Sequence, residues 1–290
     1  MNIILNRKFL TAFVIGVFAL GAVFIAGCKK NDGSTSLSAD QTVSTTDDVA
    51  DLVADGLASN NGGAMDQTND AFEIAGAVGV GSGESLSKTN ADSLSVQRVY
   101  DSTSVSWTTS VYRAKVGILY SALWTRTYWH QFWANGKAQK FKNSPASADT
   151  INYQIKNGAG FFWTPRLTHV LTSIGANWTA SSTNTDTVTL NGAYTRSGVD
   201  TVKVAARRGR ILVGTLTLNF VNVRGPKGLR RDRSAGTTGT INGKYTALVT
   251  VSGTTFAIEK DFTITLSNGT AKFTIDGTVY TRDLATGDPL

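Results

Sequence analysis

The residues of this chain that could carry chemistry are few and far apart. Two histidines, His130 and His169, stand 39 positions apart, and neither has a second metal-binding residue at ligand spacing. A zinc centre needs three or four such ligands. The segment "DQTNDA" (66–71) lacks the ordered oxygens and the turn glycine of a calcium loop. Ser85-Leu86-Ser87-Lys88 has S-x-x-K spacing, but no Ser-Asp-Asn follows, and Lys88-Thr89-Asn90 lacks the glycine of the partner motif. In a serine-rich stretch that tetrad arises by chance. "GVGSG" fits neither a nucleophile elbow nor a phosphate loop. No catalytic residue, metal or cofactor is therefore assigned. A pair of carboxylates meeting in space stays open as a hydrolytic device.

Two other groups stand out. All six tryptophans lie between Trp107 and Trp178. In "WTRTYWHQFWANG", alternate positions give Trp124, Tyr128, His130 and Phe132 on one face, and Trp129 and Trp133 on the other. Aromatic bulk on both faces marks a strand that is covered twice or lines a pocket. Trp124, Tyr128, Trp129 and Trp133 are the candidate ligand-binding residues, suited to stacking a sugar or enclosing an acyl chain. The arginines cluster in "ARRGR" (206–210) and "VRGPKGLRRDR" (223–233), on either side of an apolar-alternating run. Thirteen extended residues separate such clusters by roughly 40 Å. That excludes a single nucleic-acid stripe and leaves solvated loop tips or a site for anions.

The elements that must position these side chains follow from periodicity. "TTDDVADLVADGLASNNGG" (45–63) carries Val49, Leu52, Val53 and Leu57 at helical spacing, with aspartates in its first turns. A weaker helical pattern spans about 64–78, and a Gly/Ser linker follows. From about residue 95 the period becomes two. Phe256, Ile258, Phe262, Ile264 and Leu266 alternate with polar residues, and Asn268-Gly269 then predicts a tight hairpin into Ala271, Phe273 and Ile275. "TLNGAYT" (189–195) and "TINGKYT" (240–246) echo each other, with "TIDGTVY" (274–280) as a looser copy. Apolar alternation passes unbroken through Gly192 and Gly243, which predicts glycines inside strands or at bulges rather than at hairpin tips, where an aromatic across the ladder often covers the glycine. The pattern predicts an all-β fold. Ten or so antiparallel strands form a meander, as a curved sheet, sandwich or incomplete barrel, preceded by a short acidic helical segment.

The start of the chain addresses the protein. Arg7 and Lys8 precede an uncharged run, Phe9 to Gly27, and then Ile25-Ala26-Gly27-Cys28 closes it with the chain's single cysteine. This resembles the lipobox of bacterial lipoprotein precursors: an aliphatic residue, a small residue, Gly or Ala, then Cys. The resemblance implies cleavage before Cys28, a diacylglycerol on its thiol and an acylated amino group. It also implies a place in the bacterial cell envelope, anchored by lipid, with the outer membrane expected. The competing reading is a membrane-spanning anchor, since nineteen residues also suffice to cross a bilayer. Two or three acyl chains anchor stably where one does not. The expected divisions are a signal peptide (1–27), lipidated cysteine and flexible tether (28–44), acidic helices with linker (45–94) and an antiparallel β domain (95–290). That layout is similar to uncharacterised envelope lipoproteins.

Charge is divided unevenly along the chain. Residues 31–97 hold eleven acids and one lysine, and residues 98–290 hold ten acids and 23 bases, so the two parts carry −10 and +13. Either the acidic segment docks on the basic half, with salt-sensitive pairs, or each half meets its own partner. The expected function is non-catalytic: an envelope lipoprotein that binds a ligand or partner, or serves structurally. Expected partners are the membrane through Cys28, and an anionic glycan, a phospholipid or an envelope protein. The alternative is a glycan- or lipid-active hydrolase of the envelope.

Overall fold

The computed structural model describes residues 39–76, 93–207, 209–227 and 236–290. Cys28 and its leader, the Ser85–Lys88 tetrad and much of the second arginine cluster lie outside the described residues. Two helices come first, α1 (Ala39–Leu57) and α2 (Ala64–Gly76). Helix α1 starts within the stretch expected to be tether. Ala39, Asp40 and Gln41 do not oppose a helix already nucleated downstream, and extending one adds a hydrogen bond for each residue fixed.

Twelve strands follow. They are β1 (Ser93–Asp101), β2 (Ser106–Val116), β3 (Ser121–Ala134), β4 (Lys137–Gln139), β5 (Thr150–Trp163), β6 (Leu167–Ser181), β7 (Thr187–Val202), β8 (Ile211–Pro226), β9 (Thr238–Val251), β10 (Thr254–Ser267), β11 (Thr270–Ile275) and β12 (Thr278–Asp283). They pair antiparallel in chain order, with the short β4 set aside against β3. The sheet is an open meander, with β1 and β12 as its edges. The all-β antiparallel expectation holds, with twelve strands where ten or so were expected. The hairpin at Asn268-Gly269 forms as the sequence predicts, both residues taking positive φ (49° and 77°) between β10 and β11.

The sheet curls around the helices. Side chains of α1 and α2 touch Arg113 on β2, Arg126 on β3, Tyr194 on β7, and Tyr280 and Arg282 on β12. One pair of helices can meet both ends of a meander only if the sheet rolls up around it. Beyond the half-covered edge strand β1, the inner parity of the strands is buried and mainly apolar, and the outer parity is rich in threonine, serine and asparagine. The helix pair is enclosed on its acidic side as well as its apolar one. Val49, Leu52, Val53 and Phe72 are buried, and so are Asp48, Asp55, Asp66 and Asp70.

The internal sequence echo has a physical cause. Gly192 pairs with Trp178 and Gly243 with Phe262. A side chain at Gly243 would strike the Phe262 ring. Gly192, at φ +130° beside a register shift between β7 and β8, is closed to a side chain by the backbone of Asn177 and Trp178. Gly243 is thus an aromatic-covered strand position, and Gly192 a glycine at a bulge. The third copy differs: Asp276-Gly277 is the turn between β11 and β12, with positive φ at both residues.

Candidate functional site

Strand β3 carries most of the residues singled out by sequence, and its alternation sends them to opposite faces. Trp124 and Tyr128 point inward and are buried, at 2% and 0% exposure. Trp129 and Trp133 are only partly covered on the outer face. The four candidate residues are therefore not brought into one pocket.

The inward pair belongs to the packing of the helices. Rings run across the inner face from strand to strand: Tyr128 to Tyr153 at 5.3 Å, Tyr153 to Trp178 at 5.8 Å and Trp178 to Tyr194 at 6.1 Å. Beside this ladder lies a charge cluster. Asp66 of α2 accepts from Arg126 at 2.8 Å, Arg113 at 3.0 Å and Lys115 at 3.2 Å. Asp70, one turn on, accepts from Tyr128 Oη at 2.8 Å and Arg113 at 3.2 Å. Burial alone would raise the Asp66 carboxyl, but Lys115, Arg113 and Arg126 together hold it well below the usual carboxylate range. Asp70 goes the other way, pushed up by burial against the pull of Arg113, with the Asp66 charge adding to the rise.

In the first arginine cluster, Arg207 and Arg210 are not solvated tips. Arg207 spans Asp48 (2.7 Å) and Asp51 (2.9 Å), Arg210 reaches Asp48 at 2.8 Å, and Arg282 meets Asp51 at 3.1 Å. Arg166, in the β5–β6 turn, joins Asp55 of α1 to Asp288 of the C-terminal tail, both at 2.6 Å. Burial nevertheless pushes Asp55 up to about 7. The acidic segment docks on the basic half inside the roll. These pairs are mostly buried, so the salt sensitivity expected of exposed pairs does not follow.

Both histidines are buried walls. His130 has neither ring nitrogen partnered among the described residues, and burial, helped by the Arg98 charge, lowers it to about 3. His169 Nδ1 lies 2.6 Å from Asp200 Oδ1, and burial lowers its pKa despite that carboxylate. An Nδ1–H directed at Asp200 leaves Nε2 as an acceptor with no partner among the described residues. His169 is one wall of a small cavity of about 20 Å³, lined also by Asn61, Gly62, Trp124, Arg126, Tyr194 and Arg196, room for about one ordered water. Among the described residues, no three His, Cys, Asp or Glu side chains gather as a metal site.

The outward pair forms an open strip. Trp129 and Trp133 lie on one strand, four residues or about 13 Å apart. Trp129 Nε1 donates to Ser106 Oγ at 2.8 Å, and Trp133 Nε1 to Gln131 Oε1 at 2.9 Å, so each indole is pinned by its edge. Gln154 of β5 pairs directly with Trp129, and Lys156 sits with Nζ 5.5 Å from that ring. Amide groups thus lie beside two fixed aromatic rings, and the Lys156 ammonium, which donates to Gln154 Oε1, lies over the Trp129 ring.

Sequence reasoning missed Asp66, Arg113, Lys115 and Arg126. Their signal was available: Arg126 shares the parity of Trp124 and Tyr128, and Arg113 and Lys115 share that of Trp107 and Val111. A cation on the apolar face of a strand calls for a buried carboxylate. No family model matches the chain, and no curated protein or solved structure is similar to it.

Proposed function

We propose that this chain is a bacterial envelope lipoprotein, acylated at Cys28, whose β domain is a non-catalytic binding module with the Trp129–Trp133 strip as its ligand face. The observation that carries this reading is the outward pair of edge-pinned indoles beside Gln131, Gln154 and Lys156. Inside the roll, Asp48, Asp51, Asp55, Asp66 and Asp70 are engaged in holding helices to strands. The outer strip has no such structural duty. Flat apolar ring faces with amide and ammonium groups beside them suit a sugar ring, which offers apolar C–H faces and polar edges. The nearby lysine favours an anionic glycan.

Titration of envelope glycans and phospholipids against indole fluorescence tests the reading. An anionic glycan should shift the wild-type emission. Trp129→Ala and Trp133→Ala should each weaken its binding about fivefold, since a stacked aromatic contributes on the order of 1 kcal/mol. Circular dichroism should show both variants folded. If no glycan or lipid shifts the emission, or the alanine variants bind as well as wild type, the strip is not the ligand face.

A further inference from the structure

Leaving aside Leu290 (70%), the most exposed large apolar side chains among the described residues are at one hairpin tip. Ile118 is 98% exposed, Val116 66% and Leu119 64%, all at the β2–β3 connection. The tip is built, not frayed: Gly117 N donates to Tyr120 O at 2.8 Å, and a side chain at Gly117 would collide with the Tyr120 ring. Behind the tip, Ser121 pairs with Trp163 and Leu123 with Phe161, which is itself 37% exposed. Lys203 Nζ lies 5.0 Å from the Trp163 ring, and its backbone is bonded to the neighbouring β5–β6 turn. The aliphatic tip thus has aromatic and cationic side chains beside it. Aliphatic, aromatic and cationic residues together are the types that meet a bilayer–water boundary. The β2–β3, β5–β6 and β7–β8 turns (117–120, 164–166 and 203–210) contain no acid in their sequences.

Antiparallel alternation places the β2–β3, β5–β6, β7–β8, β9–β10 and β11–β12 turns on one rim of the sheet. Helix α1 meets the same rim with its N-terminal half. Thr46 bonds to Asp276 in the β11–β12 turn, Asp47 to Tyr280, and Asp48 to Arg207 in the β7–β8 connection. The ten residues joining Cys28 to Ala39 span at most about 36 Å when fully extended. An acylated Cys28 would therefore hold this rim within reach of the membrane.

We infer that the β2–β3 tip is a second membrane contact, with Ile118 and Leu119 entering an anionic lipid surface and Trp163 and Lys203 at its boundary. This orientation rests on the acylation of Cys28 proposed above. The test uses the full-length, lipid-modified protein in vesicles of phosphatidylethanolamine and phosphatidylglycerol. A bimane label is placed on Ile118→Cys and, in a control, on Thr265→Cys of the outer face of β10. Lipids brominated along the acyl chain should quench the label at 118 at least threefold more than at 265, with a blue shift at 118 appearing only when vesicles are added. Leu119→Asp in the 118-labelled protein should remove most of that quenching. Equal quenching at the two sites overturns the proposal, as does a label at 118 that is already blue-shifted without vesicles, because another part of the chain then covers the tip. A separate arm tests the acylation: if Cys28→Ser floats with vesicles as well as wild type, or Cys28 itself takes the label, the anchor reading fails, whatever the tip does.

Discussion

Arg126 donates to Asp66 across 2.8 Å with neither side chain more than 3% exposed. A charged pair this deep in a β-rich interior states why the acidic helices and the basic sheet occur in one chain. Arg113, Lys115 and Arg126 on the inner face each meet a helix carboxylate, and removing one partner strands the other without water.

Asp66→Asn should therefore cost about 3–5 kcal/mol, because Arg126, Arg113 and Lys115 lose their shared carboxylate while buried. Glu259→Ala, which breaks an outer-face pair with Lys244 at 2.6 Å, should cost far less, because both partners are exposed to solvent. Urea unfolding of both variants checks the contrast. Equal costs would show that the interior pair is no more than a surface one.

His130 makes a pH prediction whose sign is fixed. Its folded pKa, lowered to about 3, lies below the unfolded value near 6.5, so the unfolded chain takes up the proton first. Stability present above pH 6.5 is lost as pH falls toward 3, about 1.4 kcal/mol for each unit. Asp55 has the opposite slope: raised to about 7, it favours the fold at low pH and loses that contribution as pH rises from about 4 to 7. The difference between wild type and His130→Leu isolates the histidine. His130→Leu should gain on wild type steadily as pH drops below 6.5. A difference that does not change with pH would place a proton on the buried ring.

Gly243→Ala should destabilise by about 1–3 kcal/mol, because the new methyl meets the Phe262 ring. The cost should shrink in a Phe262→Leu background, where that ring is gone. A double-mutant cycle with no coupling would mean that the ring does not lie over the glycine.

The fold was legible because alternation survives in residues such as Phe262, Ile264 and Leu266, and because Asn268-Gly269 admits little but a tight hairpin. Gly192 and Gly243 were legible for the same reason, since an unbroken parity leaves them no place at a turn. The interior was less so. Periodicity reports which face a residue occupies and not what lies opposite, so Arg113 and Arg126 could be placed on the apolar parity without naming Asp66. The curl that brings β12 to α1 comes from twist accumulated over many strands, and no single stretch of sequence encodes it. The division of Trp124 and Tyr128 from Trp129 and Trp133 could be read from their spacing. That the second pair stays uncovered could not.

Burial also changes what salt should do. Helix docking held by exposed pairs would loosen as screening shortens from about 10 Å at 0.1 M to about 3 Å at 1 M. Held by Asp66 and Asp48, it should persist at 1 M sodium chloride. Hydrogen exchange of the α1 and α2 amides at low and high salt measures this. Helix amides that lose protection in salt while the sheet keeps its own would contradict enclosure of the helices.

The most direct test of the functional account is the intact mass of the protein extracted from the membranes of a bacterium that produces it. The account predicts a chain that begins at Cys28 and carries diacylglycerol and acyl additions. It also predicts that Cys28→Ser accumulates as the uncut precursor and takes up no labelled palmitate. A wild-type chain that retains Met1, or a Cys28→Ser chain that still matures and labels, would contradict it.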